Sequence, residues 1–153
     1  MPIVIEEATF NDLPAMSRLR GEQWGSANEW EPRITAYMIR QQTPQFGLEP
    51  RTLLVAVDTD ENEVVGMAAG HLSVRFDTKG EIHWLDVDAR LRGQRIADKL
   101  LAGLFDWFRS QGATKICVNV TPTNDAARTV FTRLGAESMG THWMVFNNIS
   151  AAQ

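Results

Sequence analysis

The fold is decided by the stretch Val87-Asp-Ala-Arg-Leu-Arg-Gly-Gln-Arg-Ile-Ala-Asp-Lys-Leu-Leu101. Its pattern predicts the end of a buried strand, a tight turn rich in arginine and glycine, and the first turns of an amphipathic helix. Cations beside the positive end of a helix are electrostatically misplaced, but the mismatch disappears when the turn holds an anion. The stretch therefore indicates either a phosphate-binding turn or a solvated basic helix start without a ligand. The cations concerned are Arg90, Arg92, Arg95 and Lys99.

Length, charge and cysteine content narrow the class of protein. A chain of 153 residues is expected to form one domain, residues 1–153, with a substantial core. A net charge of -4 argues against general nucleic-acid binding, because the basic cluster is local and suits a single small polyanion. The lone cysteine, Cys117, cannot form an internal disulfide and fits a reducing compartment. We find no pattern typical of a signal peptide or a membrane span, so we expect a cytoplasmic protein that binds no membrane.

Hydrophobic periodicity predicts strands and helices that alternate in the second half of the chain. Together they predict an α/β fold, a mixed sheet with helices on both faces. The region between Gly21 and Pro50 is the least regular, with one helix at about residues 32–42. The predicted strands are residues 3–8, 52–57, 64–74, 81–87, 115–121 and 141–146, and the other helices follow Asp12, Arg95 and Asn124.

Two motifs carry a family resemblance. The strand that ends in Val87 is followed by Arg92-Gly-Gln-Arg-Ile-Ala97, and a second motif reads Asn124-Asp-Ala-Ala-Arg-Thr-Val-Phe-Thr-Arg-Leu-Gly-Ala136. Over nearly its whole length the chain resembles the GNAT superfamily of acyl-CoA-dependent N-acyltransferases. The first signature of that family is Arg/Gln-x-x-Gly-x-Gly/Ala. The second is Asn, Ala three residues later, and a Tyr-containing helix that ends in Gly-Phe.

The resemblance implies a mostly antiparallel sheet and an activity. The expected enzyme transfers acetyl from acetyl-CoA, without a metal, to a primary amine of a small molecule or peptide. The amine attacks the thioester directly, and a backbone N–H of residues 85–87 stabilises the oxyanion. The resemblance is also compatible with a homodimer. The residues that it assigns to acetyl-CoA are Leu85, Asp86, Val87, Arg92, Gly93, Gln94, Arg95, Ile96, Ala97, Asp98, Asn124 and Phe131.

Three residues depart from the family pattern. Arg95 stands at the first glycine of the turn signature, where a side chain is a penalty unless it points away. Phe131 stands where many members carry the tyrosine that protonates the CoA thiolate, so that role is vacant or filled elsewhere. Asn119 stands where some N-terminal acetyltransferases carry a glutamate base. The alternatives are therefore a non-catalytic acyl-CoA-binding or sensing module, and a structural interaction domain that binds no CoA.

The predicted strand 81–87 supplies the candidates for the catalytic base. Strict alternation would place Glu81 and His83 on the same face as Leu85 and Val87, with Ile82, Trp84 and Asp86 on the other. Glu81 and His83 could deprotonate the amine directly or through water, or they could simply meet solvent at a strand end. Asp86 would need a partner if buried, and Arg90 or Arg92 is the expected one.

Aromatic residues in the irregular region leave two interpretations open. Trp24, Trp30 and Tyr37 are ordinary core or lid residues, or they line an acceptor pocket with the nearby glutamates. Such a pocket would suit a cationic or aromatic amine. The three histidines, His71, His83 and His142, lack metal-ligand spacing, so no zinc site is expected.

Overall fold

Seven strands form one sheet in the computed structural model, which describes residues 2–150. Neighbouring strands are antiparallel except β4 and β5, which are parallel, and this confirms the predicted mixed sheet. The predicted domain includes residues 1 and 151–153, which lie outside the described residues. In sheet order the strands are β1 (Ile3–Glu7), β2 (Gly47–Asp58), β3 (Glu63–Ser73), β4 (Gly80–Val87), β5 (Ile116–Asn119), β7 (Trp143–Phe146) and β6 (Glu137–Ser138).

Helices cover both faces of the sheet, as the sequence predicted. One face packs against α1 (Leu13–Trp24) and α2 (Ala27–Met38), and the other against α3 (Ile96–Ser110) and α4 (Asp125–Arg133). Each helix buries its apolar side; in α3, Leu100, Leu104 and Phe108 are fully buried. Within residues 2–150, no helix has both the length and the apolarity that a membrane crossing requires.

The region expected to be irregular is largely helical. Helix α1 continues to Trp24, and α2 begins at Ala27 and not near Pro32. Ser26 starts α2 because its hydroxyl accepts the Glu29 amide at 3.4 Å and donates to the Glu29 carboxylate at 3.1 Å. Ser-x-x-Glu is the sequence signature of a helix start, and it marks the true start of α2, although the Glu29 carboxylate here bonds to the Ser26 hydroxyl and not to the Ser26 backbone. Strand β2 likewise begins at Gly47, five residues before the predicted start.

A bulge in β4 corrects the predicted faces of the candidate base residues. In β3, Ala69 pairs with Trp84 and the next residue, Gly70, pairs with Ile82, so His83 is the extra residue. A bulge shifts side-chain alternation by one position. Ile82 therefore packs on the α3 side together with Leu85 and Val87, while His83 stacks on Tyr37 of α2. The prediction that Glu81 and His83 share a face with Leu85 and Val87 is wrong.

The parallel strands β4 and β5 stay paired for only a short distance. Residues 80–82 pair with residues 116–118, and beyond them no β5 residue pairs with Leu85, Asp86 or Val87. Helix α3 packs close to the paired section, where a Cβ on Gly80 would lie 2.5 Å from the Phe108 ring. The gap that opens between the two strands connects the two faces of the sheet.

Candidate functional site

Two cavities meet at the gap between β4 and β5. The first, here called the turn cavity, is about 440 Å³ and runs along the start of α3. The second, here called the indole cavity, is about 450 Å³ and is lined by Trp24, Trp30 and Trp84. Gln23, Leu85, Asn124 and Ala127 line both cavities. An extended molecule can therefore reach from the basic turn, past the exposed edge of β4, to the three indoles.

The turn cavity contains most of the residues that the resemblance assigns to acetyl-CoA. Asp86 and Gln94 line neither cavity, and Phe131 lines the indole cavity. The assigned residues that line the turn cavity are Leu85, Val87, Arg92, Gly93, Arg95, Ile96, Ala97, Asp98 and Asn124.

The backbone of the turn leaves the first amides of α3 available. Arg95 precedes α3 in the left-handed conformation, with φ 64°, and its side chain makes no capping hydrogen bond. A non-glycine residue in this conformation costs roughly 1–2 kcal/mol. Gly93 has φ 89°, and no atom lies within 4 Å of the position a Cβ would take. The turn thus combines unpaired N–H groups with open space, the two features that an anion needs at a helix start.

Arginines surround the one carboxylate at this helix start. Arg95 contacts Asp98 at 3.4 Å, and Arg133 of α4 also donates to Asp98. Arg92 and Gly93 complete the outer wall of the turn cavity. The cations outnumber the carboxylate, so the wall presents net positive charge to a ligand.

The indole cavity presents aromatic faces and one cation. The Arg20 guanidinium carbon lies 4.3 Å from the Trp30 ring centroid and 5.4 Å from that of Trp84. Both distances are within the range of a cation–π interaction. Arg20 was not among the predicted site residues. The available signal was its spacing, because it follows Met16 and Leu19 on the buried side of α1.

Asp86 is the ion-pair partner of Arg20. Its Oδ2 atom lies 2.8 Å from Arg20 Nη1, and the carboxylate is 1% exposed. Burial raises the pKa of Asp86, and the Arg20 charge opposes that shift. The predicted partners, Arg90 and Arg92, are therefore wrong; Arg90 instead pairs with Asp88 at 2.7 Å. The reason is strand alternation, since Asp86 points towards α1 and away from the turn that follows β4.

Glu81 is held by an arginine behind the site. Arg75 Nε donates to its carboxylate at 2.9 Å, and the Arg75 guanidinium carbon lies 4.6 Å from the Trp143 ring centroid. Burial raises the pKa of Glu81, while the bond and charge of Arg75 lower it. Glu81 lines neither cavity. Any contact with a substrate amine therefore requires an intervening group or water.

His83 lines the indole cavity, in contrast to Glu81. Its ring stacks on Tyr37 with centroids 4.9 Å apart, and the Tyr37 hydroxyl lies 3.1 Å from Nδ1 of His71. Burial lowers the pKa of His83 to about 3 and that of His71 to about 4. Both imidazoles are therefore neutral at pH 7. The Tyr37–His71 contact was not predicted from the sequence.

Helix α4 supplies the opposite wall of the indole cavity. Phe131 is 3% exposed and meets the Phe146 ring edge-on, with centroids 6.1 Å apart. Asn124 caps α4 by accepting the Ala127 amide at 3.2 Å. Phe131 therefore packs as an apolar wall, and its side chain has no proton to donate.

Comparison with known families gives a match over most of the chain. The model of the Acetyltransferase (GNAT) family matches residues 13–136. This span includes α1, the basic turn, β4 and all of α4. No curated protein matches the chain in sequence.

Solved structures show the same fold at low sequence identity. The PaiA N-acetyltransferase of Thermoplasma acidophilum in complex with coenzyme A has a TM-score of 0.77 at 15% identity, covering 97% of this chain and 99% of that one. A chain of the NatC complex bound to Gag peptide and CoA gives 0.76 at 18% identity, with 96% and 99% covered. The ribosomal-protein-S5-alanine acetyltransferase of Vibrio fischeri gives 0.70 at 15% identity, with 95% and 93% covered.

Proposed function

Since this chain belongs to the GNAT family of acetyltransferases, we propose that it transfers acetyl from acetyl-CoA to a primary amine. The observation that carries the proposal is the pair of cavities joined at Leu85 and Asn124. One cavity has a basic helix start suited to pyrophosphate, and the other is an aromatic chamber suited to an acceptor. The exposed edge of β4 lies where they meet, so the two substrates can come together there.

The chain's own groups fit acetyl-CoA at three positions. The amides at the start of α3, together with Arg92 and Arg95, would hold the pyrophosphate. The edge of residues 85–87 that faces β5 would hydrogen-bond the pantetheine arm as an added strand. Bound acetyl-CoA supplies an activated acetyl group as its thioester. A backbone N–H of the same segment would then stabilise negative charge on the thioester oxygen.

The proposed chemical step forms an amide and releases a thiol. The nitrogen of the neutral amine bonds to the thioester carbon, the carbon–sulfur bond breaks, and the amine proton passes to a base. Glu81 is the better base, because burial raises its pKa whereas burial lowers the pKa of His83 to about 3. We propose that the proton reaches Glu81 through water beside His83.

The position of Phe131 keeps a second function open. The ring occupies the place where a proton donor to the leaving thiolate is expected, so the thiolate would take its proton from solvent. A non-catalytic acyl-CoA-binding or sensing module would show the same cavities without turnover. Release of free CoA thiol with a panel of primary amines separates the two functions, because only the enzyme releases thiol continuously.

Acetyl-CoA binding is the test of the proposed site. We expect acetyl-CoA to raise the melting temperature, because a ligand that binds only the folded state stabilises it. Gly93→Val should abolish this rise, because it forces a branched side chain into a positive φ beside the proposed pyrophosphate position. Gly112→Val is the matched control, since Gly112 also has a positive φ, 74°, and open surroundings but lies beyond the end of α3.

The control separates strain from ligand binding. Both variants should lower the melting temperature without ligand, and only Gly93→Val should lose the response to acetyl-CoA. If calorimetry and thermal shift both show that the unmodified protein binds no acetyl-CoA, the proposed function is wrong. We further propose that residues 1–153 form one domain, that the protein is cytoplasmic and that it forms a homodimer.

A further inference from the structure

The charge distribution of the indole cavity identifies a class of acceptor. Among the described residues that line this cavity, Arg20 is the only one with a charged side chain at pH 7. Its partner Asp86 lies behind it and does not line the cavity. The buried ion pair therefore presents its positive end to an incoming substrate. A site for a polyamine or a lysine side chain would need the opposite arrangement, with a carboxylate facing the ligand.

Arg20 retains unused hydrogen-bonding capacity. Within residues 2–150 its one hydrogen bond is from Nη1 to Asp86, at 2.8 Å, and the buried Nε atom has no partner. The residue is 9% exposed, and its guanidinium is fixed by Asp86 and by the Trp30 ring. A guanidinium that is held in place and incompletely paired is well suited to binding a carboxylate.

Aromatic faces make up much of the remaining wall. Trp24, Trp30, Trp84, His83 and Phe131 all line the cavity. Flat π-systems favour a planar aromatic partner, by offset stacking or by edge contacts. The glutamates expected from the sequence to line this pocket, Glu22, Glu29 and Glu31, are exposed and do not belong to the lining.

We infer that the acceptor is a primary amine that carries both an aromatic ring and a nearby carboxylate, as an aromatic α-amino acid does. This inference rests on the proposed function. Asp86 directly follows Leu85 in β4, so Arg20 lies beside the segment proposed to hold the thioester. In an α-amino acid the amine and the carboxylate are attached to the same carbon, so a carboxylate bound by Arg20 would keep the amine beside this segment. The ring would pack against the aromatic lining, with Trp24 and Trp30 on the Arg20 side of the cavity and Phe131 on the opposite wall.

The test compares amines that differ in one group. L-Tryptophan and L-phenylalanine are compared with tryptamine and phenethylamine, which lack only the carboxylate, and with L-alanine, which lacks the ring. Spermidine represents a cationic acceptor. We expect kcat/KM for the two aromatic amino acids to exceed that of each decarboxylated amine by about 10- to 100-fold, the usual effect of a hydrogen bond to a charged group. Equal or faster acetylation of tryptamine, or a preference for spermidine, would overturn the inference.

A variant of the ion pair tests the role of Arg20. Removal of Arg20 alone would leave Asp86 buried without a partner, so we choose the double variant Arg20→Met/Asp86→Leu, in which apolar side chains replace both charges. The double variant should acetylate tryptophan with the same kcat/KM as tryptamine, mainly because its KM for tryptophan rises. Arg33→Met is the matched control, because Arg33 also lies over the Trp30 ring, at 4.9 Å, but does not line the cavity. An unchanged preference for tryptophan in the double variant would contradict the inference.

Calorimetry with CoA present distinguishes failure of the inference from failure of the proposed function. If no amine is acetylated but tryptophan binds and loses affinity in the double variant, the proposed function is wrong, and the inference is overturned as to the acceptor while Arg20 still selects a carboxylate ligand. If amines are acetylated but kcat/KM depends neither on the aromatic ring nor on the carboxylate of the amine, the proposed function stands and the inference fails. If neither aromatic amino acid binds to the unmodified protein, the inference is overturned whatever the turnover. A circular dichroism melt confirms that each variant is folded.

Discussion

At the scale of single residues, burial acts in opposite directions on the two side chains proposed as the base. His83 touches the indole cavity but holds a proton poorly, because burial lowers its pKa to about 3. Glu81 is farther from the cavity, but burial raises its pKa against the opposing effect of Arg75. His83 therefore reaches the cavity, whereas Glu81 has the higher affinity for a proton. A water between them would combine both properties.

Replacing Arg75 tests whether Glu81 is the base. Arg75→Met removes the cation that lowers the pKa of Glu81, so the pKa should rise further. Because the base must be ionised, the acid limb of the kcat/KM profile should move to higher pH. Glu81→Gln should lower turnover by about 10²-fold or more and leave acetyl-CoA affinity nearly unchanged. Arg40→Met, which breaks the exposed pair with Glu49, is the control. An acid limb that does not move in Arg75→Met would assign the base elsewhere.

The sequence indicated only some of the residues that line the candidate site, for physical reasons. The residues of the turn were identifiable because a helix start has a local signature of glycine, arginine and spacing. The pair of Arg20 and Asp86 was not, because its members are 66 positions apart and meet only when α1 packs on β4. The position of His83 depends on the β4 bulge, which a strictly alternating pattern cannot indicate.

At the scale of elements, local signals predicted some helix starts and missed others. The start of α4 was predicted from Asn124, whose side chain does cap that helix. The same reasoning overlooked Ser26, so α2 was placed five residues too late. The connection between β4 and α3 was predicted in part. Its position was predicted, but its backbone conformation places Arg95 where glycine is favoured.

Arg95→Gly tests the strain at the start of α3. Glycine adopts φ 64° without a penalty and removes a cation from the positive end of the helix. We expect the free energy of unfolding without ligand to rise by about 0.5–1 kcal/mol, after the larger chain entropy of unfolded glycine is subtracted. Chemical denaturation measures this change.

Arg40→Gly is the matched control for backbone relief. Arg40 has φ 60° and is exposed, so the same substitution should give a similar gain in stability. It lies outside both cavities and should leave acetyl-CoA affinity unchanged. Arg95→Gly should instead bind acetyl-CoA more weakly than the parent does. The difference in affinity should be larger at low salt than at high salt, because salt screens the Arg95 charge. If Arg95→Gly were less stable than the parent while Arg40→Gly was more stable, the Arg95 side chain would be holding the turn.

At the scale of the whole molecule, the sheet keeps two different interiors apart. The side that faces α3 and α4 is almost entirely apolar, with Leu100, Phe105 and Phe146 buried together. The side that faces α1 and α2 contains buried polar groups, among them Arg20, His71 and Asp86. The gap between β4 and β5 joins these sides. Chemistry can therefore be concentrated on one face while the other face provides most of the apolar burial.

The buried polar side makes stability depend on pH. His71 is fully buried, and its pKa falls from 6.5 to about 4 on folding, mainly through burial. The unfolded chain therefore binds a proton at this histidine at a higher pH than the folded protein. The resulting stability is fully present above pH 6.5 and is lost as pH falls through about 4. The difference between the pKa of His71 in the unfolded chain and in the folded protein corresponds to about 3 kcal/mol of stability at the acid end of this pH range.

The prediction is measured as the free energy of unfolding in urea between pH 7.5 and pH 4. The parent should lose stability steadily below pH 6.5, and His71→Gln should lose about 3 kcal/mol less over the same window, although it starts from a lower value. The raised pKa values of Glu81 and Asp86 act in the opposite direction, since these groups take up protons more readily when folded. The difference between parent and variant reports His71 together with its electrostatic effect on His83, and the exposed His142→Gln controls for residue type. Parallel curves for parent and His71→Gln would show that His71 is not neutral in the folded protein, because only a neutral buried imidazole makes the unfolded chain the stronger proton binder.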